Sequence, residues 1–161
     1  MNLNELFKKQ KQLDEYIVKE KGLENEDLLK KKTVALICEL YECVNEARFF
    51  KYWSKDQMPR KSRELFCEEC NGSGTPLGIP DFAGVDCEKC EGTGSIFVNP
   101  LLEEYVDTIH FTLSIANDLG VHEHKYIKTS PTDLNDLVLG ITNLATIIPI
   151  SKEKYQVESL I

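Results

Sequence analysis

Four of the six cysteines in this 161-residue chain fall into two short pairs. Cys67 and Cys70 form the first CxxC pair, Cys87 and Cys90 form the second, and sixteen residues lie between the pairs. Thiolates at this spacing are typical ligands of a tetrahedral Zn²⁺ ion. Each pair opens a CxxCxGxG unit, whose glycines allow the backbone to turn tightly around the sulfurs. The sequence therefore predicts one Zn²⁺ ion bound by all four cysteines.

The predicted zinc ion is expected to have a structural role. Four protein thiolates fill every position of a tetrahedral ion and leave none for a catalytic water. The repeated CxxCxGxG unit also resembles the zinc module of J-protein co-chaperones, which binds peptides and carries more than two such units. Peptide binding by this segment is therefore a second interpretation that the residues leave open.

A set of acidic residues one helical turn apart lies in TVALICELYECVNEARFFKYWSK, residues 33–55. The apolar residues of this segment predict a largely buried helix, which Pro59 ends. Glu39, Glu42 and Glu46 share one face of it, and no lysine or arginine stands four residues after any of them. Like charges at this spacing cost about 0.2–0.5 kcal/mol on an exposed helix, and more without water. The expected neutralising group is Mg²⁺ or Mn²⁺ on hard carboxylate oxygens, and a solvated helix face is the alternative.

A second acidic pair, Glu104 and Asp107, lies on a helix that Asn99 and Pro100 are predicted to begin. Acidic residues are common in the first turns of helices because they interact favourably with the helix dipole. Two such pairs on packed helices can nevertheless converge, as carboxylates do in the metal sites of helical bundles. We predict that the four carboxylates of the ExxE pair, Glu39 and Glu42, and of the ExxD pair, Glu104 and Asp107, meet around divalent metal.

The predicted fold is all-α, because every long periodic segment has helical spacing and none alternates between apolar and polar residues. We expect a helical bundle of about four to five helices with a small zinc-binding insert that carries the four paired cysteines. The chain is predicted to be a single domain, residues 1–161, which the insert at residues 64–98 interrupts. The predicted helices cover residues 3–20, a stretch from about residue 26 into the central helix 33–55, residues 99–120 and residues 130–149, with a loop at 121–129 and a short last helix capped by Ser151.

The charge and the terminal sequence limit the classes of partner. The formal net charge is −8 and no long basic run occurs, so no nucleic acid is expected as a partner. The N-terminal MNLNELFKKQ lacks the apolar core of a signal peptide, and no eighteen apolar residues are contiguous, so no membrane association is expected. Paired cysteines without a disulfide pattern fit a reducing compartment, which predicts a cytoplasmic protein.

Two stretches, ELYECVNEARFFKYWSK and NPLLEEYVDTIHFTLSIANDLG, together resemble the dimeric dUTPase family. This family belongs to the all-α nucleoside triphosphate pyrophosphohydrolases, whose pattern is ExxE followed by ExxD, and its bacterial and phage branch often carries a CxxC insert. The resemblance covers roughly residues 3–120. It implies a homodimer in the cytoplasm of a bacterial or phage-infected bacterial cell, which hydrolyses dUTP to dUMP and pyrophosphate with Mg²⁺.

The resemblance also implies roles for individual side chains. One of Glu39 and Glu42 orients or deprotonates the attacking water. His110 and Phe111 line the deoxyribose and base pocket, although on pattern alone they are core residues of an apolar helix. The other implied roles are Mg²⁺ binding by Glu39, Glu42, Glu104 and Asp107, phosphate contact by Lys51 and Lys55, stacking of Trp53 on the nucleoside and a hydrogen bond from Gln10 to uracil.

The end of the chain, KYQVESLI, does not match the asparagine/arginine-rich terminal motif of many family members. Two alternatives to dUTP hydrolysis therefore stay open. The chain is a pyrophosphohydrolase for another nucleoside triphosphate, or it is a catalytically impaired relative that acts as a zinc-stapled protein-interaction module.

Overall fold

Helices make up most of the described chain, which confirms the all-α prediction. The computed structural model describes residues 2–77, 79, 84–121 and 133–158, with side chains described as far as Ser151. Within these residues there are four helices and one pair of short strands. The helices are α1 (Leu3–Lys21), α2 (Leu29–Ala47), α3 (Pro100–Asp118) and α4 (Leu134–Glu158).

Local sequence signals account for the ends of α1 and the starts of α2 and α3. Gly22 ends α1 in the left-handed region at φ 64°, which glycine adopts without strain. The Asp27 carboxylate accepts the Leu29 N–H at the start of α2 at 3.0 Å. Asn99 caps α3 by accepting the Leu102 N–H at 3.1 Å, with Pro100 at the first helical position. The predicted Asn-Pro helix start is confirmed.

The central helix is shorter than predicted, because α2 ends at Ala47 rather than near Pro59. Arg48 adopts a left-handed conformation with φ 63° and ends the helix. Its buried guanidinium donates to the main-chain carbonyl of Asp56 through Nε at 3.1 Å and Nη2 at 2.8 Å. Residues 49–58 therefore form a loop that folds back on Arg48, and the helical continuation to residue 55 was wrong.

Packing of α2 against α3 forms the main contact of the bundle, while α1 packs on α3 and α4 packs on α2. The core combines Leu29 and Leu36 of α2 with Ile115 of α3 and Ala145 of α4. The outer face of α2 is open, since Val34 is 62% exposed. The prediction of a helix with neighbours on most sides was therefore wrong, and α2 is amphipathic.

The insert begins and ends in a short antiparallel pair of strands, β1 (Arg63–Phe66) and β2 (Ser95–Val98). Arg63 lies opposite Val98 and Phe66 lies opposite Ser95, so the two ends of the insert are adjacent. Four-residue strands are too short for their alternation to be read from the sequence. Beyond them the two CxxCxGxG units face each other so closely that a side chain at Gly74 would overlap the Gly92 carbonyl.

Helix α4 continues through Pro149, so the predicted break and the separate capped helix after it were wrong. Ser151 donates to the Ile147 carbonyl at 3.0 Å within the same helix. The 18-residue window Leu134–Ser151 has a mean hydropathy of 1.4, and 6% of it is buried. By length and composition this helix could cross a membrane. The sequence did not predict this, because polar residues interrupt its apolar residues. Most of the predicted loop 121–129 and the predicted helix start at Ser130 lie outside the described residues.

Candidate active site

Two glutamates of α2 and one of α3 bring their carboxylates together. One oxygen from each of Glu39, Glu42 and Glu104 lies within 4.8 Å of the other two. The packing of α2 against α3 produces this approach, since Glu104 is more than sixty positions away from the two α2 glutamates in the chain. Carboxylate oxygens bind divalent cations at about 2.0–2.6 Å, so three oxygens this close can share one ion. We call these three side chains the acidic cluster.

Asp107 borders the acidic cluster, one turn further along α3 than Glu104. Its negative charge contributes to raising the pKa of both Glu39 and Glu104, so it faces the same space. It also lies on the wall of a neighbouring cavity. Asp107 therefore connects the acidic cluster to that cavity.

Partial burial and mutual repulsion make the acidic cluster electrostatically unfavourable. Burial raises the pKa of Glu39, and the charges of Glu42 and Asp107 raise it further. Burial likewise raises the pKa of Glu104, followed by the charges of Glu42 and Glu39, then of Asp107 and Glu103. Both shifts favour the protonated acid, because several negative charges occupy a space with reduced access to water. A divalent cation among these oxygens would remove the repulsion.

Glu46, the third acid of the predicted α2 stripe, has a different environment. Its side chain is buried and pairs with Arg63 of β1 at 3.1 Å and with Arg60 at 3.8 Å. The second oxygen, Oε2, has no hydrogen-bond partner among the described residues. The sequence could not separate Glu46 from Glu42, because its arginine partners lie fourteen and seventeen positions away in the insert connection.

A cavity of about 520 Å³ lies between α1, α2 and α3, next to the acidic cluster. Its wall is mainly apolar, with Leu13 and Ile17 from α1 and Phe111 from α3. The polar groups that reach it include Gln10, Asp14, His110 and Ser114. An apolar cavity of this size with a few polar groups is typical of small-molecule sites.

A hydrogen-bond network crosses this cavity from α1 to α3. Gln10 is buried, with 6% of its surface exposed, and its Oε1 lies 2.5 Å from His110 Nδ1. Its Nε2 donates to Asp14 Oδ1 at 2.8 Å, and Ser114 Oγ donates to Asp14 Oδ2 at 2.7 Å. The ammonium group of Lys32 lies 3.6 Å from the same Oδ2. The family resemblance predicted Gln10 and His110 as site residues. It did not predict Asp14, Ser114 and Lys32, whose contacts with one another join different helices.

Lys51, Trp53 and Lys55 are not among the described residues that line the cavity. They lie on the loop after α2, where Lys51 Nζ donates to Asn45 Oδ1 at 2.6 Å. Trp53 is 65% exposed and contacts the ring edges of Phe50 and Tyr52. The structure therefore brings together the carboxylates, Gln10, His110 and Phe111, and leaves these three loop residues apart.

The four cysteines of the insert form a second, separate cluster. All four are buried, and their sulfurs lie within 4.8 Å of one another, with Cys67 to Cys87 at 3.9 Å and Cys70 to Cys90 at 3.6 Å. Disulfide bonds need about 2.05 Å, whereas sulfurs around tetrahedral zinc are separated by about 3.8 Å. The geometry therefore fits a zinc ion and excludes disulfides.

Backbone N–H groups of two glycines in the CxxCxGxG units point at cysteine sulfurs. Gly74 N–H donates to Cys70 Sγ and Gly94 N–H donates to Cys90 Sγ, each at 3.3 Å. Burial opposes ionisation of Cys70, but the Gly74 N–H and the neighbouring thiols outweigh it and lower the pKa of Cys70 to about 7. For Cys87 the Cys90 N–H favours the thiolate, but burial and the neighbouring thiols outweigh it and raise the pKa to about 11. Zinc binds the thiolate form, so the backbone N–H contacts are the ones that favour metal binding.

Comparison with known proteins gives one match. A family model described as dUTPase matches residues 2–70 and 96–160. The matched ranges contain the acidic cluster, Asp107 and the polar network, while the unmatched residues 71–95 contain the second cysteine pair. No curated protein and no solved structure matches the chain. Because the match covers most of the sequence on both sides of the insert, the chain belongs to the dimeric dUTPase family.

Proposed function

We propose that this protein hydrolyses dUTP to dUMP and pyrophosphate in a reaction that depends on Mg²⁺. Family membership supports dUTP hydrolysis in general. The observation that carries the proposal is the approach of three carboxylates from α2 and α3 to within 4.8 Å of one another beside an apolar cavity. Mn²⁺, which also prefers oxygen ligands, is expected to substitute.

The acidic cluster and Asp107 have the chemistry to hold divalent metal next to a triphosphate. A bound Mg²⁺ ion neutralises phosphate charge and lowers the pKa of a coordinated water. Glu39 or Glu42 would orient the attacking water or take its proton. An ionised carboxylate within hydrogen-bond reach of the attacking water is a competent general base.

The cavity between α1 and α3 is proposed to take uracil and deoxyribose. Its volume of about 520 Å³ is sufficient for a nucleoside, and Asp107 on its wall connects it to the proposed metal site. Gln10 reads the base edge, while His110 and Phe111 line the sugar and base pocket. A buried amide that must hydrogen-bond its ligand rejects molecules that leave it unpaired.

Lys51, Lys55 and Trp53 are proposed to contact the phosphates and the nucleoside from the loop after α2. The side chains of Lys55 and Trp53 are exposed. Substrate contact therefore requires this loop to approach the acidic cluster, and the negative charge of a bound triphosphate would attract the two lysines.

We further propose a homodimer in the cytoplasm, with a structural Zn²⁺ ion in the insert. The outer face of α4 exposes Leu139, Leu144, Ile147 and Ile150, each at least 46% accessible to water. An apolar face of this extent is typical of a surface that another protein covers. A second copy of the chain is the occupant that agrees with membership of a dimeric family.

Incubation of the purified chain with dUTP and Mg²⁺ tests the proposed reaction by release of dUMP and pyrophosphate. Glu42→Gln and Asp107→Asn are each expected to lower kcat/KM at least about a hundredfold, because each removes a charged oxygen from the metal site. Glu103→Gln is the matched control, since this residue is exposed on α3 and is not part of the acidic cluster. Turnover of dUTP that neither variant reduces, or that persists without divalent metal, would contradict the proposal.

A panel of deoxynucleoside triphosphates distinguishes dUTP hydrolysis from the alternative of another nucleotide substrate. The second alternative, a zinc-stapled interaction module, is favoured by the exposed aromatic rings of Phe66 and Phe97 on the insert strands, which are 59% and 72% accessible. That role predicts partner binding that survives Glu42→Gln and is lost on replacement of Cys67 or Cys87. Hydrolysis abolished by Glu42→Gln, without any partner binding, would decide for the enzyme.

A further inference from the structure

The side-chain amide of Gln10 is held at both ends. Its buried amide contacts Asp14 at 2.8 Å and His110 at 2.5 Å. An amide oxygen and an amide nitrogen are almost the same size, so these distances alone do not determine which end faces which partner. The orientation of the amide has to follow from the chemistry of the two partners.

Asp14 determines the orientation, because an ionised carboxylate only accepts hydrogen bonds. Ser114 donates to it at 2.7 Å, and the ammonium of Lys32 lies 3.6 Å away, so its other neighbours also suit a negatively charged acceptor. The NH₂ end of Gln10 must therefore face Asp14, and its oxygen must face His110. It follows that His110 Nδ1 carries a proton and donates to this oxygen.

The two partners of the amide differ in how strongly they fix it. If the amide rotated by 180°, His110 could adapt by moving its proton to the other ring nitrogen, because a neutral imidazole can be a donor or an acceptor at Nδ1. Asp14 has no such alternative, and the rotated amide would place its oxygen against a carboxylate. Asp14 is therefore the residue that prevents rotation.

We propose that Asp14 is a positioning residue that makes Gln10 select uracil over cytosine. The inference rests on the proposed function, in which Gln10 meets the base. Uracil presents an N3–H donor beside its O4 acceptor, whereas cytosine presents an N3 acceptor beside its N4 donor. An amide that is free to rotate can match either order, but a fixed amide matches only one. Asp14 thus determines which pyrimidine finds a complementary partner.

The test is a competition between dUTP and dCTP in one reaction with Mg²⁺, in which the ratio of dUMP to dCMP gives the ratio of the two kcat/KM values. Asp14→Asn keeps the shape of the side chain, but Ser114 and Lys32 hold its oxygen, so its NH₂ group faces Gln10 and favours the rotated amide. We expect the preference for dUTP to fall about tenfold, the value of one neutral hydrogen bond. The ratio is independent of the fraction of folded enzyme, so partial unfolding does not imitate the effect.

Asp118→Asn is the matched control. Asp118 pairs with the same Lys32 at 2.7 Å, undergoes the same charge change and is not a contact of Gln10. We expect it to retain the preference of the parent. Asp14→Ala, made in parallel, is expected to lose the preference as Asp14→Asn does.

A measurement on the parent protein decides the question even if both Asp14 variants fail to fold. The ¹⁵N spectrum of His110 should identify the tautomer with the proton on Nδ1, and a proton on Nε2 alone would overturn the inference. Parent enzyme that does not hydrolyse dUTP would instead overturn the proposed function. Parent enzyme that prefers dUTP, with both folded variants keeping its ratio, would overturn only the role of Asp14.

Discussion

At the scale of single residues, folding brings the negative charges of the acidic cluster close together, where they repel one another. Glu39 with Glu42, and Glu104 with Asp107, were predictable as pairs because ExxE and ExxD spacing places each pair on one helix face. Burial of Gln10 was not predictable, because α1 carries lysines around it and its partner His110 is a hundred residues away. Sequence spacing identifies neighbours on one helix but gives no information about which residue of another helix will meet them.

The raised pKa values of Glu39 and Glu104 predict how stability depends on pH without metal. Raised values mean that the folded protein binds more protons than the unfolded chain between the ordinary glutamate pKa and the raised one. The free energy of unfolding contributed by these groups therefore decreases as pH rises through that interval. Glu39→Gln removes one repelling charge, so it should stabilise the metal-free protein by about 0.2–0.5 kcal/mol at pH 7 and by nothing below pH ~4.

Urea unfolding of the parent and of Glu39→Gln at several pH values measures this difference. Glu20→Gln on α1 is the control, since it is exposed and outside the acidic cluster. Saturating Mg²⁺ should reverse the order at pH 7, because the parent then gains more stability from the bound ion than the variant does. A difference between parent and variant that is constant with pH would contradict the proposed repulsion.

At the scale of elements, the starts of the helices were more predictable than their ends. Asn99 and Pro100 are strong start signals, and the predicted start is the observed one. The end of α2 at Ala47 had no such signal, since Arg48 is neither glycine nor proline and is followed by an apolar run. The helix ends there because a buried guanidinium binds the Asp56 carbonyl, which is a tertiary contact.

This contact predicts that Arg48→Ala destabilises the loop after α2. The substitution removes two hydrogen bonds to the Asp56 main-chain carbonyl and an ion pair with the Asp56 carboxylate, for a total cost of about 1–3 kcal/mol. Urea unfolding measures the cost, and fluorescence of Trp53, the single tryptophan, reports the loop. Asp56→Asn is the control, because it keeps the main-chain acceptor and loses only the ion pair to a carboxylate that is 66% exposed. Equal effects of the two substitutions would contradict this account.

Zinc removal should unfold the insert and leave the helices in place. β1 and β2 have four residues each, too few for independent stability, so the four-cysteine site must supply the folding energy. We expect about one Zn²⁺ per chain in the parent and none in Cys87→Ser. Cys38→Ser is the control and should keep its zinc, because Cys38 lies on α2, away from the cysteine cluster of the insert. Loss of zinc should also free Arg63 from Glu46, which leaves a buried carboxylate less well neutralised.

Metal analysis and circular dichroism with and without a chelator that removes zinc measure these changes. Far-ultraviolet signal from the helices should be retained when zinc is lost. Cooperative loss of the whole helical signal would contradict the view of the insert as a unit that folds separately on the bundle.

At the scale of the whole molecule, the sequence predicted the fold class but not the continuity of α4. Pro149 predicted a helix end, but proline inside a helix can kink it without ending it, and α4 continues through this residue. The two predicted pieces are one helix, and the packing of the described helices leaves its apolar face exposed. The same helix meets the length and hydropathy of a membrane span, so its partner must be determined by experiment.

A second copy of the chain is the partner we propose, and the prediction is a dimer in solution without detergent. Leu139→Glu and Leu144→Glu place a charge on the exposed face of α4, where dimer burial would have to desolvate it at a cost of about 2–5 kcal/mol each. Both variants should be monomers by light scattering at concentrations where the parent is a dimer. Asn4→Glu adds the same charge to an exposed position of α1 and should leave the dimer intact. A parent chain that is monomeric, or that requires lipid vesicles to stay soluble, would contradict the dimer and assign the apolar face of α4 to another partner or to a membrane.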